Sequence, residues 1–202
     1  SNGNIISSKN NRIENLTISQ GGIQLIQPWH TTLKNILVMN LFGQYNVGLE
    51  IQIPVNVSIE DFRVFNSQGI GILYKDFSGA GPSTTCYFKR VYASHCNVGF
   101  EIDGNTGAPH AIYSSSFEDI VSEYNNGGII LKGNIQDCRF ANLHLEHNTR
   151  SMEIHGSVIA SISDVFDDTE FGIGFYPENS ENANITILNV NSNLQIMEGW
   201  SG

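Results

Sequence analysis

Apolar and polar residues alternate along this chain in short runs, and the runs repeat. Eight apolar starting points, Ile13, Leu33, Ile59, Phe88, Phe117, Phe140, Ile162 and Ile185, are separated by 20, 26, 29, 29, 23, 22 and 23 residues. Three positions after each start come Leu16, Ile36, Phe62, Val91, Ile120, Leu143, Val165 and Leu188. Five positions after come Ile18, Val38, Val64, Ala93, Ser122, Leu145, Asp167 and Val190, of which only Ser122 and Asp167 are off pattern. A period of two is that of a strand with alternate side chains inward. Self-similarity at about 20–30 residues is the mark of a stacked solenoid.

Each unit reads as a strand, a tight turn, a second strand and a variable loop. The turn is expected eight positions after each start, at Gly21, Leu41, Ser67, Cys96, Asn125, Asn148, Glu170 and Asn193, where small residues and Asn dominate. A second apolar pair follows: Ile23/Leu25, Leu49/Ile51, Ile70/Ile72, Phe100/Ile102, Ile129/Leu131, Met152/Ile154, Ile173/Phe175 and Leu194/Ile196. Units stacked in one sense pair equivalent strands in parallel. The expected fold is therefore all-β: a single-stranded right-handed parallel β-helix of about eight coils, forming one domain over 1–202. A leucine-rich repeat matches only in part, at Leu143-x-Leu145-x-x-Asn148, and its helical segment is missing. Segments 74–85 and 103–115 read as long loops, and solenoid insertions collect on a face that often binds. Both ends read as uncapped, with Ile196, Met197 and Trp200 apolar at one of them, which invites a further domain or subunit.

Composition agrees with strands. The chain has 25 Ile and 23 Asn against 7 Ala. Ile suits a pleated half-buried surface, and Asn suits turns. A net charge of −10 with only 10 Lys and Arg speaks against general binding to nucleic acid or to an anionic membrane. A ligand is expected to be neutral or to be met through local contacts. No secretory start and no apolar run of about 18 residues is visible, so no membrane insertion is expected. Cys86, Cys96 and Cys138 are odd in number without metal-type spacing, and read as reduced, buried thiols. No cofactor and no metal is expected.

If positions three and five point inward, four and six point outward. Glu123, Glu146 and Asp168 then form a ladder on successive coils about 4.8 Å apart. Tyr92, His144 and Phe166 share the neighbouring column with Arg63. A like-charge ladder disfavours full ionisation, so the flanked Glu146 has the strongest reason to keep its proton. Hydrolysis of a glycosidic bond needs one protonated and one ionised carboxyl. Carboxylates on adjacent coils would stand about 5 Å apart, and those two coils apart about 9–10 Å, the latter within the inverting range. Glu146 is the expected proton donor, Asp168 or Glu123 the base, and His144, Tyr92, Phe166 and Arg63 the substrate-binding residues. Asp167 should point inward and be hydrogen-bonded there, or be turned outward by a bulge. His144 and His147 should lie on opposite strand faces, which disfavours metal ligation.

The repeat region, 13–196, resembles the pectate-lyase-like β-helix superfamily, through units such as Phe117-Glu-Asp-Ile120-Val-Ser122 with Asn125-Asn-Gly-Gly128, and Phe140-Ala-Asn-Leu143-His-Leu145 with Asn148. Its Asn and Ser richness and irregular loops look most like bacteriophage tailspikes and tail appendages. That resemblance implies a homotrimer on the virion tail that binds, and often cleaves, bacterial surface polysaccharide. A non-catalytic receptor-binding or structural module, a surface adhesin or a secreted carbohydrate-active β-helix would share the architecture. Asp167-Asp168 is similar to the paired aspartates of polygalacturonases, but the companion motifs of that family are absent, as is the basic cluster of pectate lyases.

Overall fold

The computed structural model describes residues 5–6, 9–43, 46–76, 83–104, 112–169, 172–176 and 184–191. Among these the only regular elements are strands: β1 (Ile5–Ile6), β2 (Arg12–Ser19), β3 (Ile23–Ile26), β4 (Thr32–Leu41), β5 (Leu49–Gln52), β6 (Ser58–Lys75), β7 (Ser83–Thr84), β8 (Tyr87–Asp103), β9 (Ile112–Tyr113), β10 (Ser116–Glu123), β11 (Gly127–Glu146), β12 (Arg150–Asp167), β13 (Ile173–Tyr176) and β14 (Asn184–Asn191). Every pairing between them is parallel. One column runs β2–β4–β6–β8–β10–β11–β12–β14. A second runs β1–β3–β5–β6–β8–β11–β12–β13. A short third column joins β7, β9 and β11. The chain is a parallel β-helix. Eight strand segments stack in the first column, but no residue of β2 or β14 is buried. The end coils have a neighbour on one side only, so about six turns are formed rather than eight.

Apolar side chains fill the interior. Leu33, Ile59, Phe88, Phe117, Phe140 and Ile162, the starting residues of six successive units, are each at most 2% exposed. Three of their rings stack along the axis, with centroids 4.7 Å apart for both Phe88–Phe117 and Phe117–Phe140. That spacing is the coil repeat itself. Cys86, Cys96 and Cys138 are free and buried. Burial pushes their thiols up, to about 11, 11 and 12 respectively.

The chain bends through left-handed residues placed in register. Two positions after each of the first seven starts lie Asn15, Asn35, Asp61, Arg90, Asp119, Asn142 and Asp164, all with φ between 52° and 56°. Seven positions after lie Gln20, Asn40, Asn66, His95, Tyr124 and His147, with φ between 51° and 66°. Asn and Asp tolerate this region because their short side chains bond locally. The bend thus falls one residue before the expected turn. The expected turn position is interior instead: Leu41, Ser67, Cys96, Asn125 and Asn148 are all buried. Asn125 and Asn148 bridge coils there, Asn125 Oδ1 accepting from the Cys96 N–H at 2.7 Å and Asn148 Oδ1 from the Asn125 N–H at 3.0 Å.

Three other expectations shift. In the last unit Ile187, not Ile185, stands opposite Ile162, so Leu188 is 56% exposed rather than inward. In the third unit the pair stacked on Leu49/Ile51 is Ile72/Tyr74, not Ile70/Ile72, because the register slips between Ser67 and Ile70. Tyr74, Lys75, Ser83, Thr84, Asp103, Ile112 and Tyr113, expected in loops, belong to strands. Residues 77–82 and 105–111 of those loops, and Leu194, Ile196, Met197 and Trp200, lie outside the described residues.

At the start of the second strands stands a column of Gly48, Gly71, Gly99 and Gly128, one per coil. A Cβ on Gly48 would meet the Gly71 carbonyl oxygen at 2.6 Å, one on Gly71 that of Gly99 at 2.7 Å, and one on Gly99 that of Gly128 at 2.8 Å. These glycines serve close approach between coils, not positive φ.

Candidate functional site

The first sheet column carries the candidate residues on its outer surface. Adjacent coils align Arg63 with Tyr92, Tyr92 with Val121, Val121 with His144 and His144 with Phe166. The parallel line aligns Phe65 with Ser94, Ser94 with Glu123 and Glu123 with Glu146. Asp168 lies just beyond β12 and continues that line, its N–H donating to the Leu145 carbonyl at 3.3 Å. All seven residues expected at the site therefore occupy one face.

The carboxylates are held by unlike partners. The Tyr92 hydroxyl donates a short hydrogen bond to Glu123 Oε1. Burial, and then that bond to a carboxylate, push the Tyr92 phenol up to about 12, so it stays a donor. Glu146 stands between two imidazoles, with Oε2 2.8 Å from His144 Nε2 and Oε1 3.4 Å from His147 Nε2. Asp168 Oδ1 accepts the His147 backbone N–H at 2.9 Å, and Oδ2 lies 3.6 Å from His147 Nδ1. A single imidazole thus reaches both Glu146 and Asp168. The like-charge count that singled out Glu146 omitted these two imidazoles.

His147 corrects the expectation that strand alternation separates it from His144. Its φ of 51° breaks the alternation, and its ring joins the Glu146 side. Glu146, His147 and Asp168 each place one donor atom within 4.8 Å of the others. A His with two carboxylates is a donor set that a divalent cation accepts. Among the described residues no other group of three or more His, Cys, Asp or Glu side chains has donors this close.

Strand periodicity also missed the aromatic line beside the carboxylates. His95, Tyr124 and His147 occupy the left-handed corner of successive coils, with ring centroids 5.1 Å and 4.8 Å apart. Their common offset of seven residues from Phe88, Phe117 and Phe140 is the signal that could have found them. Phe166 packs on His144 with centroids 4.8 Å apart. Phe65 and Tyr92 pair at 4.9 Å, tilted by 41°. They line a shallow groove of about 490 Å³ together with Arg63, Arg90, Asp119 and Val121.

Asp167 points inward, as its register requires, and one of its two oxygens is hydrogen-bonded there, while Oδ2 is buried without a partner among the described residues. Its Oδ1 accepts from the Ser151 hydroxyl at 2.6 Å, the Thr169 N–H at 2.9 Å and the Thr169 hydroxyl at 2.7 Å. Asp167 and Asp168 therefore face opposite sides of the wall and do not act as a pair. Other carboxylates are tied to neighbours. The Arg90 guanidinium donates to both oxygens of Asp61, at 2.6 Å and 3.0 Å, and holds its carboxyl below the usual range. Glu101 pairs with Lys132 at 2.7 Å, and Asp119 accepts from Asn142 at 3.0 Å.

Comparison with protein-family models, curated proteins and solved structures finds no match. What the fold and the face define is a class: a parallel β-helix bearing a carboxylate and imidazole ladder flanked by aromatic rings.

Proposed function

We propose that this face binds bacterial surface polysaccharide and hydrolyses a glycosidic bond in it, in the manner of a bacteriophage tail depolymerase. The observation that carries the reading is Glu146 and Asp168 on adjacent coils, with donor oxygens within 4.8 Å and His147 between them. Retaining glycosidases hold their carboxyl groups about 5–5.5 Å apart, so this spacing favours direct attack over activation of an interposed water. Asp168 attacks the anomeric carbon as the glycosidic C–O bond breaks, and the leaving oxygen takes the proton of Glu146. Glu146, now ionised, takes a proton from water, whose oxygen displaces Asp168 and restores both groups. His147 keeps the two carboxyls in register. The flanking rings of Tyr124, His95 and Phe166 offer flat apolar surfaces to sugar rings.

Glu123 with Asp168, two coils apart at about 9–10 Å by strand spacing, would give inversion instead. The anomer released from a cleaved bacterial polysaccharide, read by proton NMR within the first minutes, tests the assignment. Retention supports Glu146 with Asp168. Inversion transfers the base role to the wider pair. Absence of cleavage on a broad panel of bacterial polysaccharides removes the hydrolase.

One observation favours a non-catalytic receptor-binding module: each of Glu123, Glu146 and Asp168 already has a partner on its own face. In either case we place the chain in a homotrimeric tail appendage. Leu37 and Met39, register partners of Arg63 and Phe65, are apolar, outward and only half-buried, and a neighbouring subunit would cover them.

A further inference from the structure

We infer that the polysaccharide recognised on this face contains an acidic sugar, and that Arg63 reads its carboxylate. The inference rests on the polysaccharide reading and adds the chemical class of the ligand. Arg63 is exposed and, among the described residues, makes no hydrogen bond or ion pair. Its basic neighbours are all answered. Arg90 is held by both oxygens of Asp61 and reaches Glu60 at 3.7 Å. Lys34 pairs with Glu60 at 3.3 Å, and Lys89 and Arg139 share Glu118 at 3.9 Å and 3.2 Å. Arg63 acts on the nearby Asp61 carboxyl only through space, because Arg90 takes both Asp61 oxygens, and it is the one arginine among the described residues with no ion-paired acid.

Its surroundings form a subsite. Arg63 lines the groove of about 490 Å³ whose wall is the Phe65–Tyr92 ring pair. A sugar laid on those rings would bring a ring carboxylate within reach of the planar fork, which binds carboxylates through two parallel N–H bonds. Along the same face Glu123 lies two coils from Arg63 and Glu146 three, about 10 Å and 14 Å by strand spacing. An acidic residue is repelled at that end and drawn to this one, which sets the direction in which the glycan lies. This is how a protein of net charge −10 accepts an anionic chain: by one local contact and not by its overall field.

The test is a panel of purified bacterial capsular and O-polysaccharides, acidic and neutral, each acidic one also supplied with its carboxyls reduced to alcohols, and with sulfated and phosphorylated glycans as further arms. Unmodified protein and Arg63→Gln are compared by calorimetry. The glycan bound by the unmodified protein should carry carboxylates. Arg63→Gln should weaken it about tenfold, the scale of an exposed charge-assisted hydrogen bond. Carboxyl reduction should cost the same factor in unmodified protein and nothing further in the variant. Arg63→Lys should recover only part of the loss, since it restores charge without the fork. A neutral glycan as the ligand, equal binding by the variant, or a preference for sulfate or phosphate esters overturns the inference and leaves the polysaccharide reading standing. Failure of every glycan to bind overturns both.

Discussion

Glu123 stands directly opposite Glu146 in the parallel ladder, yet a phenol holds the first and two imidazoles flank the second. Register alone makes the two carboxylates equivalent, and their neighbours make them different. Glu123 accepts from a group that keeps its proton. Glu146 lies beside two imidazoles, each of which can donate or accept at a ring nitrogen.

That difference makes Glu146 the position to test first. Glu146→Gln keeps the shape and removes the transferable proton. Turnover of a cleaved polysaccharide should fall by about 10²-fold or more, the usual contribution of a positioned acid, while binding persists. Full activity in the variant would discard the ladder as the catalytic centre.

The glycine column predicts a large structural effect at a position without chemistry. In Gly71→Ala the new methyl would meet the Gly99 carbonyl oxygen at 2.7 Å and the Ala93 Cβ at 3.0 Å. Backbone cannot yield as a flexible side chain does, so stability should fall by at least about 1–3 kcal/mol. At about 2–4 °C per kcal/mol for a chain of this size, thermal denaturation followed by circular dichroism resolves the loss. An unchanged Tm would mean that the coils are less tightly stacked.

The thiols should be silent. Burial disfavours the thiolate at Cys86, Cys96 and Cys138, holding them at about 11, 11 and 12. A disulfide reagent at pH 8 should find no rapidly reacting thiol in the folded chain and three in denaturant. Because these groups are raised in the folded state, their contribution is complete below the ordinary thiol value and is lost as pH rises through the folded one.

Acid should act in the opposite sense through Glu50, on the second sheet column. Burial pushes its carboxyl up, but hydrogen bonds from Lys75, Gln52 and Gln24 outweigh burial and leave it below the ordinary value of 4.5. A depressed carboxyl stabilises the fold above its unfolded value, and that stability is lost as pH falls through the folded one. Glu50→Gln should therefore melt below the unmodified chain at pH 7. The gap should close as the pH is lowered below about 4. A gap that stays constant across that range would assign the effect to packing.

Much of this architecture is visible before any coordinates. Val91 and Ala93 are inward because a strand alternates, a local property of the backbone, and Phe88, three positions before Val91, joins them through the left-handed Arg90 that breaks the alternation between them. The spacing of like units then dictates parallel stacking, and stacking alone puts Glu123, Glu146, His144 and Phe166 on one face. Asp167 follows the same rule even against its charge, Ser151 and Thr169 bonding one of its oxygens inside while the other stays unpartnered among the described residues.

What alternation cannot supply is any residue whose torsion departs from the strand. His147 looks as though it opposes His144 until its positive φ turns it onto Glu146 and Asp168. The glycine column is hidden because the segments before Gly48, Gly71 and Gly99 differ in length, so only the closed coil aligns them. The slip after Ser67, and the placement of Ile187 rather than Ile185 opposite Ile162, have the same origin. The chain by itself determined the parallel β-helix and the face on which its carboxylates lie. Only the tertiary structure decided which side chains each carboxylate meets, because those contacts join residues about one coil apart in space, through bends and registers that no local periodicity encodes.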